Sequence, residues 1–295
     1  MGYLFLLIAL VGGLFKGFCG KRVSNDVESL KDCVFVTMVR LGLCAIIGFG
    51  LVMIFGNPSV LALDAKGIII YLISAVAMVC FCVTYMFAYK TASYMYLSIF
   101  GMMGTVVTCL MGMFIYGESV SLRKWVGIVI ILCAVVIMSG YDKDITKKGF
   151  FKGLPILVAA MLGSSMSDFS QKIYMKELGE DVWAFNFYTY FFGCLLLLLV
   201  LPFLKGKLKR VDGPRLYDKK HLIIYLLIAV GLFANSLSKT AAAGLLSTAE
   251  IYPVLQGSNL IASAVLAQVL LKEKINKKSV AGMTCAFIGL LVMHL

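Results

Sequence analysis

Ser164, Asp168, Gln171 and Lys172 recur at helical spacing inside a membrane-length apolar run. Residues three or four apart share one face of an α-helix. Ser164, Asp168 and Gln171 therefore form a polar stripe, and Asp168 with Lys172 at i+4 reads as a mutually neutralising pair. A charge in mid-membrane costs about 2.5–3.5 kcal/mol on insertion scales, and the short side chain of Asp168 does not reach the interface from inside its span. Such a stripe faces either a wet cavity or a neighbouring helix. In a cavity its chemistry is substrate binding and proton exchange; against a helix it is a structural ion pair.

A second stripe holds Gln256, Asn259 and Ser263, with Tyr252 and Glu250 one to two turns earlier. Amides and hydroxyls there either hold a polar substrate or bond between helices for about 0.6–2 kcal/mol. Pro253 lacks an N–H, so it is a candidate break freeing a carbonyl at the site. Arg40 and Lys16 lie about four to six residues inside their apolar runs, where long stems snorkel to the interface; the alternative is an anion-attracting charge in a cavity. Lys90 and Lys239, at the ends of apolar runs, read as interfacial anchors.

The inventory excludes other chemistries. The two histidines, His221 and His294, are far apart, no CxxC pair occurs, and the nine cysteines lie mostly in apolar runs, where free thiols behave as small hydrophobes. No metal site, disulfide framework or cofactor is expected. No convergent His, Asp and Ser cluster suggests catalysis, and no GxxxxGK[ST] motif suggests ATP hydrolysis. The chain reads as no enzyme.

The elements that position these residues follow from composition. Apolar residues make up 61% of the 295 and charged ones 14%, whereas a soluble domain carries roughly 25% charged residues. The bilayer is therefore the solvent. Runs long enough to cross its roughly 30 Å core fall at 2–19, 34–55, 67–89, 93–116, 124–140, 153–174, 182–204, 221–238, 246–271 and 279–295. No basic segment precedes the first run and Lys16 interrupts it, so it reads as a retained span rather than a signal peptide. The formal net charge of +12 sits in short loops, such as Lys205, Lys207, Lys209 and Arg210, rather than on one face. That pattern suits anionic lipid rather than nucleic acid.

The chain also repeats itself. Tyr-Gly-Glu-Ser-Val-Ser-Leu-Arg-Lys-Trp-Val-Gly at 116–127 matches Leu-Lys-Glu-Lys-Ile-Asn-Lys-Lys-Ser-Val-Ala-Gly at 271–282, Glu118 with Glu273 and Gly127 with Gly282, at a constant offset of 155. Both segments open the loop before the last span of a half. Five spans per half is an odd number, so the second half enters the membrane from the opposite side, the inverted repeat used by many secondary transporters. The expected fold is an all-α polytopic bundle of ten transmembrane helices, with repeats at 1–140 and 153–295 joined by a cytoplasmic linker at 141–152. The odd-numbered loops hold 19 Lys and Arg, which places them in the cytoplasm and both termini outside by the positive-inside rule. Glu118 and Glu273, beside helix N-termini, read as caps.

Gly117-Glu118 followed by Gly127, and Lys272-Glu273 followed by Gly282, resemble the closing motif of each half in the EamA family of the drug/metabolite transporter superfamily. The segment Ile251-Tyr252-Pro253-Val254-Leu255-Gln256-Gly257 is similar to the third helix of the small multidrug resistance proteins, four-span relatives. The resemblance implies a ten-helix exporter or importer with a central cavity, for amino acids, nucleotide sugars, sugar phosphates or organic cations, and both termini inside, against the charge count. The acid that the four-span relatives carry in their first helix has no counterpart at 2–19, so their antiport chemistry does not carry over.

Together these features lead to the expectation of a multi-pass secondary transporter in the cytoplasmic membrane. Its substrate is a small polar metabolite, an amino acid or similar zwitterion or anion. The alternatives are a multidrug or organic-cation exporter and a lipid-linked-sugar flippase. Expected partners are the small-molecule substrate and the lipid bilayer, in a monomer or weak homodimer.

Overall fold

The computed structural model describes residues 1–56, 61–91, 94–139, 147–179, 181–205, 216, 218–269 and 277–294. Within them it leaves aside the side chains of 87–91, 94–103, 135, 138–139, 147–154, 263–264, 267, 279, 290 and 293–294. The described chain is helical, with no strand: α1 (Gly2–Ser24), α2 (Leu30–Phe55), α3 (Ala65–Thr91), α4 (Tyr94–Tyr116), α5 (Leu122–Ser139), α6 (Lys147–Glu177), α7 (Val182–Val200), α8 (Lys219–Ala243), α9 (Thr248–Val269) and α10 (Lys277–His294). Each matches one apolar run in the sequence.

Several helices outrun the apolar segments. A helix extends past the lipid wherever the chain has no breaker, so α1 continues to Ser24 and α6 begins at Lys147, inside the expected linker. The start of α2 is fixed at Ser29 by a capping box: Ser29 Oγ accepts from the Asp32 amide and the Asp32 carboxylate accepts from the Ser29 amide. After α4, Gly117 takes φ 61°, a left-handed turn that glycine enters without a Cβ penalty. Pro253 does not break α9, which runs continuously through it. As the sixth residue of α9 it forfeits the one ladder bond its N–H would have made to the Ala249 carbonyl, and the helix continues past it.

Among the described residues, five helices, α1, α2, α3, α7 and α8, are by themselves long and apolar enough to cross a membrane. Large apolar side chains such as Val11, Ile46, Ile54, Leu198 and Val230 point outward, while Tyr174, Tyr190, Tyr225 and Tyr252 are fully buried. A soluble protein buries the former and wets the latter. The reverse arrangement belongs to a polytopic bundle in lipid.

Contacts at the helix ends give the direction of each crossing. At one end Gly2 abuts Leu246, Tyr188 donates to the Leu61 carbonyl at 2.7 Å, Lys66 pairs with Glu177 at 3.3 Å, and Glu118 accepts from the Thr248 amide at 2.9 Å. The N-terminus and the loops after α2, α4, α6 and α8 therefore lie together. At the other end Asp26 meets His221 at 3.1 Å, and Leu201 and Leu204 pack in one cluster with Val34. Successive helices reverse, and the two five-helix halves are inverted.

The packing has the same symmetry. The main partners are α1 with α8, α3 with α6, α2 with α7, α4 with α9 and α5 with α10. Exchanging α1–α5 with α6–α10 in order maps this set onto itself. Even the close approaches correspond. A Cβ on Gly12 would stand 2.8 Å from the Gly231 carbonyl oxygen between α1 and α8; one on Gly163 would stand 2.8 Å from the Phe81 amide nitrogen between α6 and α3. Without a hydrophobic drive between helices in lipid, such glycines let backbones approach and gain dispersion contacts.

Candidate functional site

Asp168 and Lys172 do not neutralise each other. Successive turns of α6 carry them to different partners, and each makes its own interhelical pair. Asp168, 4% exposed, receives a hydrogen bond from the Lys239 ammonium of α8. Its backbone carbonyl accepts from the Tyr252 hydroxyl of α9. Lys239 is therefore no interfacial anchor but half of a buried ion pair.

Lys172 instead meets Glu118 at 3.1 Å, and its ammonium also donates to the carbonyls of Leu246 at 2.7 Å and Ala243 at 3.1 Å. Glu118 accepts from both the amide and the hydroxyl of Thr248, at 2.9 and 2.5 Å. It thus caps a helix, but the helix is α9 of the other half rather than the neighbouring α5. Burial pushes the Glu118 carboxyl up; the Thr248 hydrogen bonds and Lys172 more than offset this and hold it below the ordinary carboxylate range. A second inter-half pair at this end joins Lys124 to Glu250 at 2.9 Å, with Glu250 also accepting from the Ser247 amide. With the exposed Lys66–Glu177 pair, three ion pairs among the described residues thus tie the halves together on the side of the N-terminus.

Toward the middle the bundle opens. A small hollow lies between α1, α2, α3 and α8, lined by Lys16, Arg40, Phe81, Tyr85, Met86 and Leu232 among others. Arg40 is ten residues inside α2 and Lys16 eight residues short of the end of α1, about 15 and 12 Å from those ends at 1.5 Å per residue. The helices are longer than the apolar runs, so both cations sit farther from the helix ends than the sequence suggested. Arg40 is 7% exposed; neither stem snorkels out. Lys16 donates to Asn235 Oδ1 at 3.1 Å and lies 5.5 Å from the Phe81 ring centroid, within cation–π range. Asn235 in turn donates to the Ala9 carbonyl at 2.6 Å.

The other expected site residues disperse. Asn259 comes near this hollow: a Cβ on Gly13 would meet Asn235 Nδ2 at 3.1 Å and Asn259 Oδ1 at 3.5 Å. Gln171 is buried against α8, where it donates to Ser236 at 3.3 Å, its own amide oxygen finding no partner among the described residues. Ser164 is half-buried, and its neighbour Ser165 bonds the Gly104 carbonyl of α4. Tyr252 is fully buried among Leu6, Ala242 and Ile251. Gln256 lines a different hollow of about 230 Å³ with Thr105, Ile128 and Pro253. The side chains of Ser263 and Lys90, and Glu273 with the rest of the second repeat motif before Lys277, lie outside what the structure describes.

The sequence reading missed Asn235, Lys239 and the inter-half role of Glu118. The run Asn235-Ser236-Leu237-Ser238-Lys239-Thr240 carried the signal for the first two, a third polar stripe at i and i+4. Placing the span end at 238 hid it. Among the described residues no group of His, Cys, Asp and Glu is arranged to hold a metal ion.

The model of the EamA-like transporter family matches residues 1–140 and 151–295. No curated protein sequence matches the chain. A solved structure entitled only "Crystal structure of protein" superposes at a TM-score of 0.72, with 12% identity, over 99% of this chain and 96% of its own. At that identity the likeness speaks for the fold alone.

Proposed function

The chain belongs to the EamA-like transporter family, and from that membership we propose that it is a secondary transporter of a small polar metabolite in the cytoplasmic membrane. It works by rocking two inverted halves around a midplane site. The observation that supports the reading is a hollow lined by Lys16 and Arg40, in a bundle whose inverted halves are held together by ion pairs at the N-terminal end and by Asp26–His221 at the other. Breaking and remaking such pairs is how a site closed on one side becomes closed on the other.

The residues divide by role. Lys16, Arg40 and Asn235 contact the substrate, with Asn259 beside them. Lys172–Glu118 and Lys124–Glu250 hold one gate. Asp168–Lys239, joining α6 to α8, is the coupling element, an ion pair that can break and re-form as the helices move. An organic-cation exporter would need a carboxylate open to its ligand, and Asp168 is occupied by Lys239.

The test is substrate counterflow in proteoliposomes, screening amino acids, nucleosides and sugar phosphates. A carrier gives transiently accelerated uptake of labelled substrate into vesicles preloaded with the unlabelled compound. Equilibration without overshoot for every permeating compound would mean a channel.

A further inference from the structure

Resting on the carrier reading, we propose that the hollow at Lys16 and Arg40 binds the anionic head of a small organic acid, with the Arg40 guanidinium as its principal ligand and the apolar body against Phe81, Met86 and Leu232.

The argument begins with an unmatched charge. Arg40 is 7% exposed, its Nε has no hydrogen-bond partner, and among the described residues no carboxylate stands within ion-pair distance of it. Buried guanidinium groups are ordinarily paired, because a desolvated cation with unmet donors is costly. Lys16, beside it in the same wall, spends one of its three donors on Asn235 and likewise has no carboxylate partner among the described residues. The buried carboxylate of Asp168 is already met by Lys239. Among the described residues, Lys16 and Arg40 thus line the hollow with no ion-pair partner, while Lys239 holds Asp168. A cationic ligand would worsen that balance and a neutral one would leave it unchanged. An anion corrects it.

The remaining surface sets the rest of the ligand. Arg presents a planar fork of five N–H donors that suits carboxylate and phosphate oxygens alike. Phe81, Met86 and Leu232 offer no hydrogen bonds beyond the head. The hollow is narrow, with room for little more than a water molecule in this state, so the ligand must be compact and the wall must part to admit it. The fit is a compact carboxylate, phosphonate or phosphate with a hydrocarbon body.

The experiment uses the full chain in phosphatidylcholine nanodiscs. Phenylacetate, glutarate and benzylphosphonate are compared with phenylacetamide, glutaramide and phenethylamine by ligand-dependent thermal shift and by competition against the most strongly binding anion. At least one anion should bind tenfold or more tighter than its amide, and phenethylamine should not bind. Arg40→Gln should reduce that affinity at least tenfold, and Arg40→Lys should recover part of it. Lys16→Gln provides a second variant if Arg40→Gln does not give a monodisperse protein. Equal affinity for acids and amides overturns the proposal, as does preference for the amine. Loss of all soluble-anion binding with saturable protection by added phosphatidylglycerol overturns it in favour of a lipid headgroup. Because counterflow is scored separately, a carrier that prefers neutral or cationic compounds sinks this inference and leaves the transport reading standing, whereas absence of counterflow with intact anion binding sinks the transport reading alone.

Discussion

Glu118→Gln changes one charge and almost no volume, so it isolates the inter-half ion pair. The pair is enclosed: the Lys172 and Glu118 side chains are 6% and 10% exposed. With Gln at 118, Lys172 keeps its carbonyl partners at Leu246 and Ala243 but loses its counter-charge. Whichever way the amide is turned, its NH2 faces either Lys172 or the Thr248 amide, donor against donor. Stripping one partner from a buried pair costs roughly 3–5 kcal/mol, and the retained carbonyls favour about 3. At roughly 2–4 °C per kcal/mol, the unfolding midpoint in detergent should fall by about 6–12 °C.

The sign with pH also follows. The Glu118 carboxyl is held below its ordinary value of 4.5, so its contribution is complete above that value and lost as pH falls through the folded one. The gap between wild type and Glu118→Gln should be constant from about pH 8 to 5 and close on further acidification. Lys172→Met should cost a similar amount, and the double variant should recover about 1.5–3 kcal/mol of the summed loss. Additive losses, a shift under 1 °C, or a gap that widens in acid would each refute the reasoning.

Asp168→Asn leaves Lys239 without its counter-charge and should reduce uptake; wild-type uptake in proteoliposomes would remove Asp168 from the coupling step. Tyr252→Phe deletes the hydroxyl bonded to the Asp168 carbonyl and should cost about 1 kcal/mol, read as a drop of about 2–4 °C in the midpoint. Gly12→Val forces α1 from α8 and should cost about 1–3 kcal/mol, whereas Gly50→Val, with nothing within 4 Å of the added Cβ, should leave the midpoint unchanged.

The sequence revealed the crossings because apolar length is a one-dimensional property, and the inverted halves because five is odd. Partner choice was not legible in the same way. Spacing put Lys172 one turn from Asp168, but α6 packs against several helices at once, and Glu118 and Lys239 reach it from other parts of the chain. A gap of 54 or 71 positions leaves no local pattern. The distance of Lys16 and Arg40 from their helix ends was misjudged for a simpler reason: helix ends were set where apolarity stopped, although the Ser29–Asp32 capping box was written in the sequence. Pro253 and Gln256 showed the opposite failure, since a helix can continue past a proline that forfeits one ladder bond and a polar side chain can line a hollow other than the expected one.

Motion between the halves is tested most directly by a distance across the gated end. Ser121, after α4, and Leu245, after α8, are exposed there in different halves. Spin labels on both, introduced through unnatural side chains so that the native cysteines stay, should report two separations by pulsed electron resonance in nanodiscs. Glu118→Gln and a transported substrate should each change the ratio of the two populations. One narrow separation, identical with and without substrate and in the variant, would contradict alternating access.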